Sequence, residues 1–380
     1  MSVSFKLDDH QMALQGLARD FALAEIRPVA AQYDKSGEFP WPVVKKAWEV
    51  GLSNLSMPEQ YGGGGLSGLD SCIVSEELAF GCAGIAAGIS ITDLACIPIV
   101  LAGDEEQKQR YLGEICSTGK MAALCVTEPE AGSDVSAIST TAKKSGDDYV
   151  LSGSKCFITN GSVADYYVVF ATTDKSMGQK GLCAFVVPRE TQGVTVGKKE
   201  DKMGQRASDT SEVVFQDVLV PSANRLGAEG QGFKLIMQTF NRSRPAVASS
   251  AVGLSRAAME YSLEYAKTRS QFGMPIIFNQ AIMFMLSDMA RDIEASRLLA
   301  WKAAWLGDMG LDNAKEAAMA KVTAADAAMR ITTDAVQIHG GYGYIKDYPV
   351  EKLMRDAKVL QIYEGTSQIQ KLLIMRSMLK

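Results

Sequence analysis

Histidine is nearly missing from this 380-residue chain, which has only His10 and His339. Two imidazoles far apart in sequence make a zinc centre or a Ser-His-Asp triad a poor expectation, so acid–base chemistry should fall to a carboxylate. An excess of positive charge is also missing. The formal net charge is −5, which offers no basic field to neutralise nucleic-acid phosphates. The seven cysteines include no CxxC pair. Most have apolar neighbours, as Cys125 has in Leu124 and Val126, and read as reduced, buried thiols of a reducing compartment. No apolar run of about 18 or more residues is evident, so no membrane span is expected. The opening MSVSFKLDDHQ has neither a signal-peptide pattern nor an Arg-rich transit pattern. A cytoplasmic protein is the expectation, or a mitochondrial-matrix one if a transit peptide has been removed. Internal repeats and low-complexity linkers are absent as well.

What is present is apolar content of 47%, enough for a large core, and a length that suggests two or three domains. Residues 1–120 read as helical. Asp8 or Asp9 caps a helix with Leu14, Leu17 and Phe21 on one face, Pro28 interrupts it, and Trp41-Pro42 opens another. The glycine run at 62–65 reads as a loop, because no buried strand precedes it as a dinucleotide fingerprint requires. Residues 69–81 and 84–102 read as two apolar helices, the second with a single charge, Asp93, near a kink expected at Pro98.

From 121 to 230 the period becomes two. Segments 140–142 and 149–151 flank a hairpin turn at 146–148, and strands follow near 165–171, 182–187, 194–196, 212–215 and 218–220. Strands without intervening helices suggest an antiparallel sheet or small barrel. Beyond 231, long helices near 233–265, 277–306 and 313–339, the last two rich in Ala and Met, suit close packing in a bundle. The expected class is α+β, mostly α: an N-terminal helical domain (1–120), a middle antiparallel β-domain (121–230) and a C-terminal four-helix bundle with a catalytic loop (231–380).

Four segments carry chemistry. In 356–370, DAKVLQIYEGTSQIQ, Glu364 follows an apolar run and precedes Gly365, Thr366 and Ser367. A desolvated carboxylate there has a raised pKa and suits a general base. The other reading is a helix N-terminus capped by the residues after Gly365. Residues 125–134, CVTEPEAGSD, form a turn able to hold phosphate or a heterocycle edge, or an ordinary strand-to-loop transition. In 155–161, KCFITNG, strand alternation puts Phe157 and Thr159 on one side, for stacking and hydrogen bonding or for plain sheet packing. In 240–245, FNRSRP, two arginines suit a nucleotide phosphate or a solvated helix face.

Together with MGQRASDT (203–210), QIHGGYGY (337–344) and YPVEKLMRDAK (348–358), these segments resemble the acyl-CoA dehydrogenase family of flavoproteins, particularly its short- and medium-chain members. The resemblance covers essentially the whole chain. It implies FAD, a homotetramer, and reoxidation by an electron-transferring flavoprotein. It also implies α,β-dehydrogenation of an acyl-CoA, with Glu364 removing the α-proton while flavin N5 takes hydride from the β-carbon. Thr127 and Ser133 match flavin and pyrophosphate contacts, with Ser133 also near the CoA arm. Phe157 and Thr159 match the aromatic against the isoalloxazine and the hydroxyl near N5. Arg269, Phe272, Gln337 and Gly341 match contacts to the adenine dinucleotide of a neighbouring subunit. Cys125, Gln280, Thr366 and Gln368 complete the implied FAD set. Asn241 and Arg244 match residues around the CoA, and Tyr363 and Gly365 complete the implied substrate set. In the family, enolate charge is stabilised by the backbone N–H at the base and a ribityl hydroxyl.

Three departures stand out. Many members carry Trp at the place of Phe157 and Asp at that of Asn241. Those with the base on the helix containing FNRSRP have it where this chain has Ser243, which favours Glu364. Ala86, Ala87 and Ser90 suggest a wide acyl pocket, and Asp93 a second acid for a cyclic or branched acyl group. The reverse reaction, enoyl-CoA reduction, would use the same residues. A non-catalytic CoA-binding scaffold is disfavoured by the intact Glu364 and flavin segments.

Overall fold

The computed structural model describes residues 5–379. Helix α1 (Asp9–Phe21) begins where Asp8 can cap it. The Asp8 side chain accepts from Gln11 N at 2.8 Å and the Gln11 side chain accepts in return from Asp8 N, a reciprocal box that satisfies two orphan donors. Around Pro28 the helix loosens into a π-turn (Ala22–Ile26) and a 3-10 turn (Arg27–Val29) before α2 (Ala30–Ser36). After α3 (Trp41–Glu49) the glycine run is indeed a loop. A Cβ at Gly63 would sit 2.2 Å from the Met57 carbonyl oxygen, so only glycine fits that turn.

Helix α4 (Gly68–Ala102) is bent at Cys82 (φ −169°, ψ 118°), which splits it where the sequence predicts two helices. The bend is not at Pro98, which lies within helical backbone. The expectation of no membrane-length apolar segment also needs correcting. This one described helix is long and apolar enough to cross a bilayer, with half of its most apolar window buried in the protein. Its Val74, Leu78 and Phe80 are core residues. Helix α5 (Glu105–Thr118) closes the N-terminal helical part.

The strands are β1 (Ala122–Cys125), β2 (Thr141–Ser145), β3 (Asp148–Thr159), β4 (Tyr166–Thr172), β5 (Leu182–Pro188), β6 (Val194–Lys199), β7 (Thr210–Val220) and β8 (Arg225–Leu226). They form one sheet in the order β6-β7-β3-β2-β4-β5-β8, with β1 added on β4. The sheet is mixed rather than antiparallel, because β1 and β2 both run parallel to β4. The predicted strands 212–215 and 218–220 are a single strand, β7, whose register against β3 shifts near Asp217 (φ 52°). Alternation along β4 sends Tyr166, Val168 and Phe170 to a face packed on α4 and α5, and Tyr167, Val169 and Ala171 to the other.

Helix α6 (Gly232–Thr268), a small hairpin of β9 (Ser270–Gln271) and β10 (Met274–Pro275), α7 (Gln280–Asp308), α8 (Ala314–His339), α9 (Val350–Lys358) and α10 (Ser367–Met378) follow. Helices α6, α7, α8 and α10 form the bundle, with α8 touching the other three. Ala317, Ala320, Ala324 and Ala328 make the buried stripe of α8, and their small side chains let neighbouring helices approach closely.

Candidate active site

Glu364 sits in a turn between α9 and α10. A 3-10 turn (Val359–Gln361) ends α9, and Thr366 caps α10 by accepting from Ile369 N at 3.2 Å. The capping arrangement and the cavity-facing carboxylate therefore coexist. Glu364 and Gly365 both adopt left-handed backbone, φ 52° and 94°. The half-buried Glu364 lines a cavity of about 1280 Å³, larger than the roughly 300–1,000 Å³ of an ordinary small-molecule site.

Ser243 Oγ on α6 donates to Glu364 Oε2 at 2.6 Å. The Glu364 carbonyl accepts from Arg244 Nε (3.2 Å) and Gln370 Nε2 (3.1 Å), and the Gly365 carbonyl from Lys321 Nζ (2.7 Å) and Gln370 Nε2 (2.9 Å). Burial raises the Glu364 pKa, and it outweighs the opposing pull of the Ser243 hydrogen bond and of the Arg244 and Lys321 charges.

The facing wall comes from the sheet. Between Lys155 and Ile158 the β3–β7 register slips, and Phe157 has φ 57°. This bulge breaks the simple alternation predicted for positions 157 and 159, yet Phe157, Thr159, Thr127 and Ser133 all line the cavity. Phe157 is 64% exposed, so its ring is presented to the cavity rather than to the sheet core. Of the left-handed non-glycine residues, Phe157, Gln205 and Glu364 all border this one space. Such strain collects at functional sites.

Beneath the 125–134 segment, buried Glu128 accepts from Ser139 N and Oγ (2.7 Å each), Thr140 N (3.0 Å) and Lys155 Nζ (2.7 Å). Lys155 also donates to the Val126 carbonyl at 3.1 Å. Burial acts to raise the Glu128 pKa, but Lys155 and the hydroxyls prevail and bring it down to about 2.

Several candidate residues lie outside the cavity or only border it. The Cys125 side chain is in the sheet core, because alternation along β1 gives the cavity to Leu124 and Val126. Ala86 packs into the N-terminal core, whereas Ala87 and Ser90 reach the cavity, as helical spacing along α4 requires. Asn241 accepts from Arg244 Nη1 and Asn313 Nδ2 and does not line the cavity. Arg244 borders it, but is 3% exposed and bonded to the Glu364 turn. Gln368 is exposed on α10, while Tyr363, Gly365 and Thr366 line the cavity.

Arg269 and Gly341 line a separate, smaller cleft with Tyr265, His339 and Tyr342. Phe272, Gln280 and Gln337 are exposed and outside the main cavity. Asp93 borders the cavity, but its Oδ1 accepts from Ser56 N (3.0 Å) and Oγ (3.2 Å); Oδ2 has no hydrogen-bond partner among the described residues. Burial raises its pKa.

Sequence reasoning missed Lys321 and Gln370, which hold the Glu364 turn; Arg242, one of the two arginines of FNRSRP, lines the cavity. Lys321 left a signal: it falls on the alanine stripe of α8, where a charge is out of place.

Profiles described as acyl-CoA dehydrogenase N-terminal, middle and C-terminal domains match residues 8–119, 123–218 and 230–379. The chain is 46% identical to an acyl-CoA dehydrogenase of Bacillus subtilis, over 97% of this chain and 98% of that one. It is 46% identical to the mitochondrial short-chain specific acyl-CoA dehydrogenase of Bos taurus, over 98% and 90%. Among solved structures, butyryl-CoA dehydrogenase from Megasphaera elsdenii superposes with a TM-score of 0.97 at 44% identity, covering 100% of both chains. A chain from a structure described as the electron transferring flavoprotein of Acidaminococcus fermentans gives the same score, identity and coverage. The FAD complex of PigA superposes at 0.95, with 30% identity over 99% of each chain.

Proposed function

This chain belongs to the acyl-CoA dehydrogenase family, and from that premise we propose that Glu364 is the base that takes the α-proton of a short acyl-CoA. As a member it is an oxidoreductase that dehydrogenates acyl-CoA thioesters with FAD. The observation that carries the proposal is the Glu364 carboxylate, half-buried and bonded to Ser243, in one cavity with Phe157 and Thr159.

That cavity suits FAD. Phe157 offers an uncovered aromatic face for a flat ring system, and Thr127, Ser133, Thr159 and Thr366 bring hydroxyls to the same walls. When bound, FAD supplies the two-electron acceptor for the hydride leaving the β-carbon. The protein's part is to position and to take the proton. Ser243 orients Glu364 Oε2, burial makes the carboxylate basic enough for a weakly acidic C–H, and Arg244 and Lys321 keep its ionised form accessible. Ala87 and Ser90 leave width for the acyl group.

Anaerobic bleaching of the flavin against a panel of straight, branched and alicyclic acyl-CoAs tests the assignment. Bleaching fastest with a short straight-chain thioester is expected, and no bleaching with any of them would overturn it. A second reading rests on Asp93, whose Oδ2 has no partner among the described residues and which borders the same cavity. There it would serve as a second acid or base for a cyclic or branched acyl group. Loss of alicyclic but not straight-chain turnover in Asp93→Asn would favour that reading.

The same residues serve enoyl-CoA reduction, and bleached enzyme reoxidised by an enoyl-CoA would report it. An electron-transferring flavoprotein is the proposed acceptor, supported by the likeness to the Acidaminococcus fermentans chain. A homotetramer is proposed from the uncovered apolar side chains of Phe278, in the turn before α7, and of Met283 and Phe284 in its first turns. All seven cysteines are free, which suits the cytoplasm or a mitochondrial matrix.

A further inference from the structure

Lys321 is fully buried on α8, between the turns that carry Ala317, Ala320, Ala324 and Ala325. Among the described residues no carboxylate lies within ion-pair distance of it, and its one hydrogen bond runs to the Gly365 carbonyl at 2.7 Å. An ammonium in that position is expensive. Its desolvation is not offset by a counter-ion in contact, and the stripe around it is otherwise alanine.

The turn it touches explains its presence. Glu364 and Gly365 hold left-handed backbone in succession, a conformation that persists at a non-glycine residue only where the surroundings over-determine it. Helix hydrogen bonds do not supply that constraint. Three side chains from three helices do: Arg244 of α6 on the Glu364 carbonyl, Lys321 of α8 on the Gly365 carbonyl, and Gln370 of α10 on both. Each carbonyl thus receives two side-chain donors, filling its two lone pairs. With the Glu364 carbonyl held by α6 and α10 and the Gly365 carbonyl by α8 and α10, the carboxylate is left to Ser243 and the cavity.

We propose that Lys321 is a positioning residue for the reaction: from behind the turn its ammonium holds the Gly365 carbonyl, and its charge favours the ionised form of Glu364. The proposal rests on Glu364 being the base. The charged groups acting on that carboxylate are Arg244 from α6 and Lys321 from α8, with Tyr363 beside it; Asp326 of α8 acts on Lys321, and Asp356 of α9 on Tyr363. Lys321 is a buried cation of this set without an ion-pair partner. Consistent with its surroundings, burial lowers the Lys321 pKa to about 8, against the opposing pull of Glu364.

Two variants of the FAD-loaded enzyme separate the roles. Lys321→Met removes donor and charge; Lys321→Gln removes the charge and keeps a donor. In Lys321→Met the rate of flavin reduction by acyl-CoA should fall by about 10- to 100-fold, less than the roughly 100- to 1,000-fold seen for losing a donor aimed at the reacting group, because Lys321 acts through the turn, with KM within about twofold. The ascending limb of kcat/KM against pH should move to higher pH in both variants, because Glu364 loses a positive neighbour. Lys321→Gln should regain part of the rate and none of the pH shift.

Thermal melting gives a readout that a purely structural lysine would not. Removing an unpaired buried charge should leave Tm unchanged or raised. A folded, yellow Lys321→Met with wild-type rate and an unmoved pH limb overturns the proposal, as does a loss of rate that only follows a lowered Tm. If Lys321→Met does not fold, the pH limb of Lys321→Gln decides. Should Glu364→Gln keep its activity, the base assignment itself falls; a dead Glu364→Gln beside an unaffected Lys321→Met sinks the lysine proposal alone.

Discussion

A left-handed backbone at a glutamate costs on the order of 1–3 kcal/mol, and Glu364 carries one with a desolvated carboxylate besides. Both features weaken the fold and suit the proposed base. Glu364→Gln should lower the rate of flavin reduction by between about 100-fold and 10,000-fold while leaving Tm the same or higher. Its pH dependence has a definite sign. The folded pKa lies above the ordinary 4.5, so this group's contribution to stability is full below 4.5 and is lost as pH rises through the folded value. Over the same rise activity appears, so kcat/KM should ascend along a limb above the usual carboxylate range, and Glu364→Gln should abolish the associated loss of Tm.

Glu128 behaves in the opposite sense. With its pKa down at about 2, its stabilisation is present above 4.5 and vanishes as pH falls toward 2, a swing of about 3 kcal/mol by linkage. Burial lowers the pKa of its partner Lys155, so the pair is worth less than Glu128 alone suggests. Glu128→Gln should flatten the acid limb of the unfolding curve and loosen the 126–134 segment, read as weaker FAD retention.

Among elements, the contact of α4 with α6 is set by absent atoms. A Cβ on Gly253 of α6 would lie 2.0 Å from the Glu76 carbonyl oxygen of α4, so Gly253→Ala should cost about 1–3 kcal/mol by overpacking, measurable by denaturant unfolding. The same scale shows why some readings needed revision. The bend of α4 falls at Cys82, not Pro98: a proline ring in a buried helix is tolerated when its neighbours hold the backbone, and local sequence does not reveal that. The parallel placement of β1 and β2 against β4 joins segments distant along the chain, beyond the reach of a period-two pattern. By contrast Asp8, Pro28 and the 146–148 turn act on their own neighbours, and each produced the expected start, break or hairpin.

For the whole molecule, uncovered Phe278 and Phe284 at 65% and 60% exposure mark the face proposed to meet another copy. Phe278→Glu with Phe284→Lys should reduce the solution mass seen by light scattering, and unchanged mass would remove that face from consideration. Here too lies the boundary between chain and fold. The sequence by itself determined the order of helical, strand and helical regions, because periodicity and turn chemistry are local. It also singled out Glu364 as a candidate base, because the apolar run before it and the glycine after it are contiguous, but that local pattern suited a capped helix N-terminus as well, and the family resemblance chose between the two. Tertiary structure alone decided what surrounds that carboxylate. Ser243, Lys321 and Gln370 come from three helices that meet only after packing, and the field at a buried charge depends on neighbours in space rather than on neighbours in the chain.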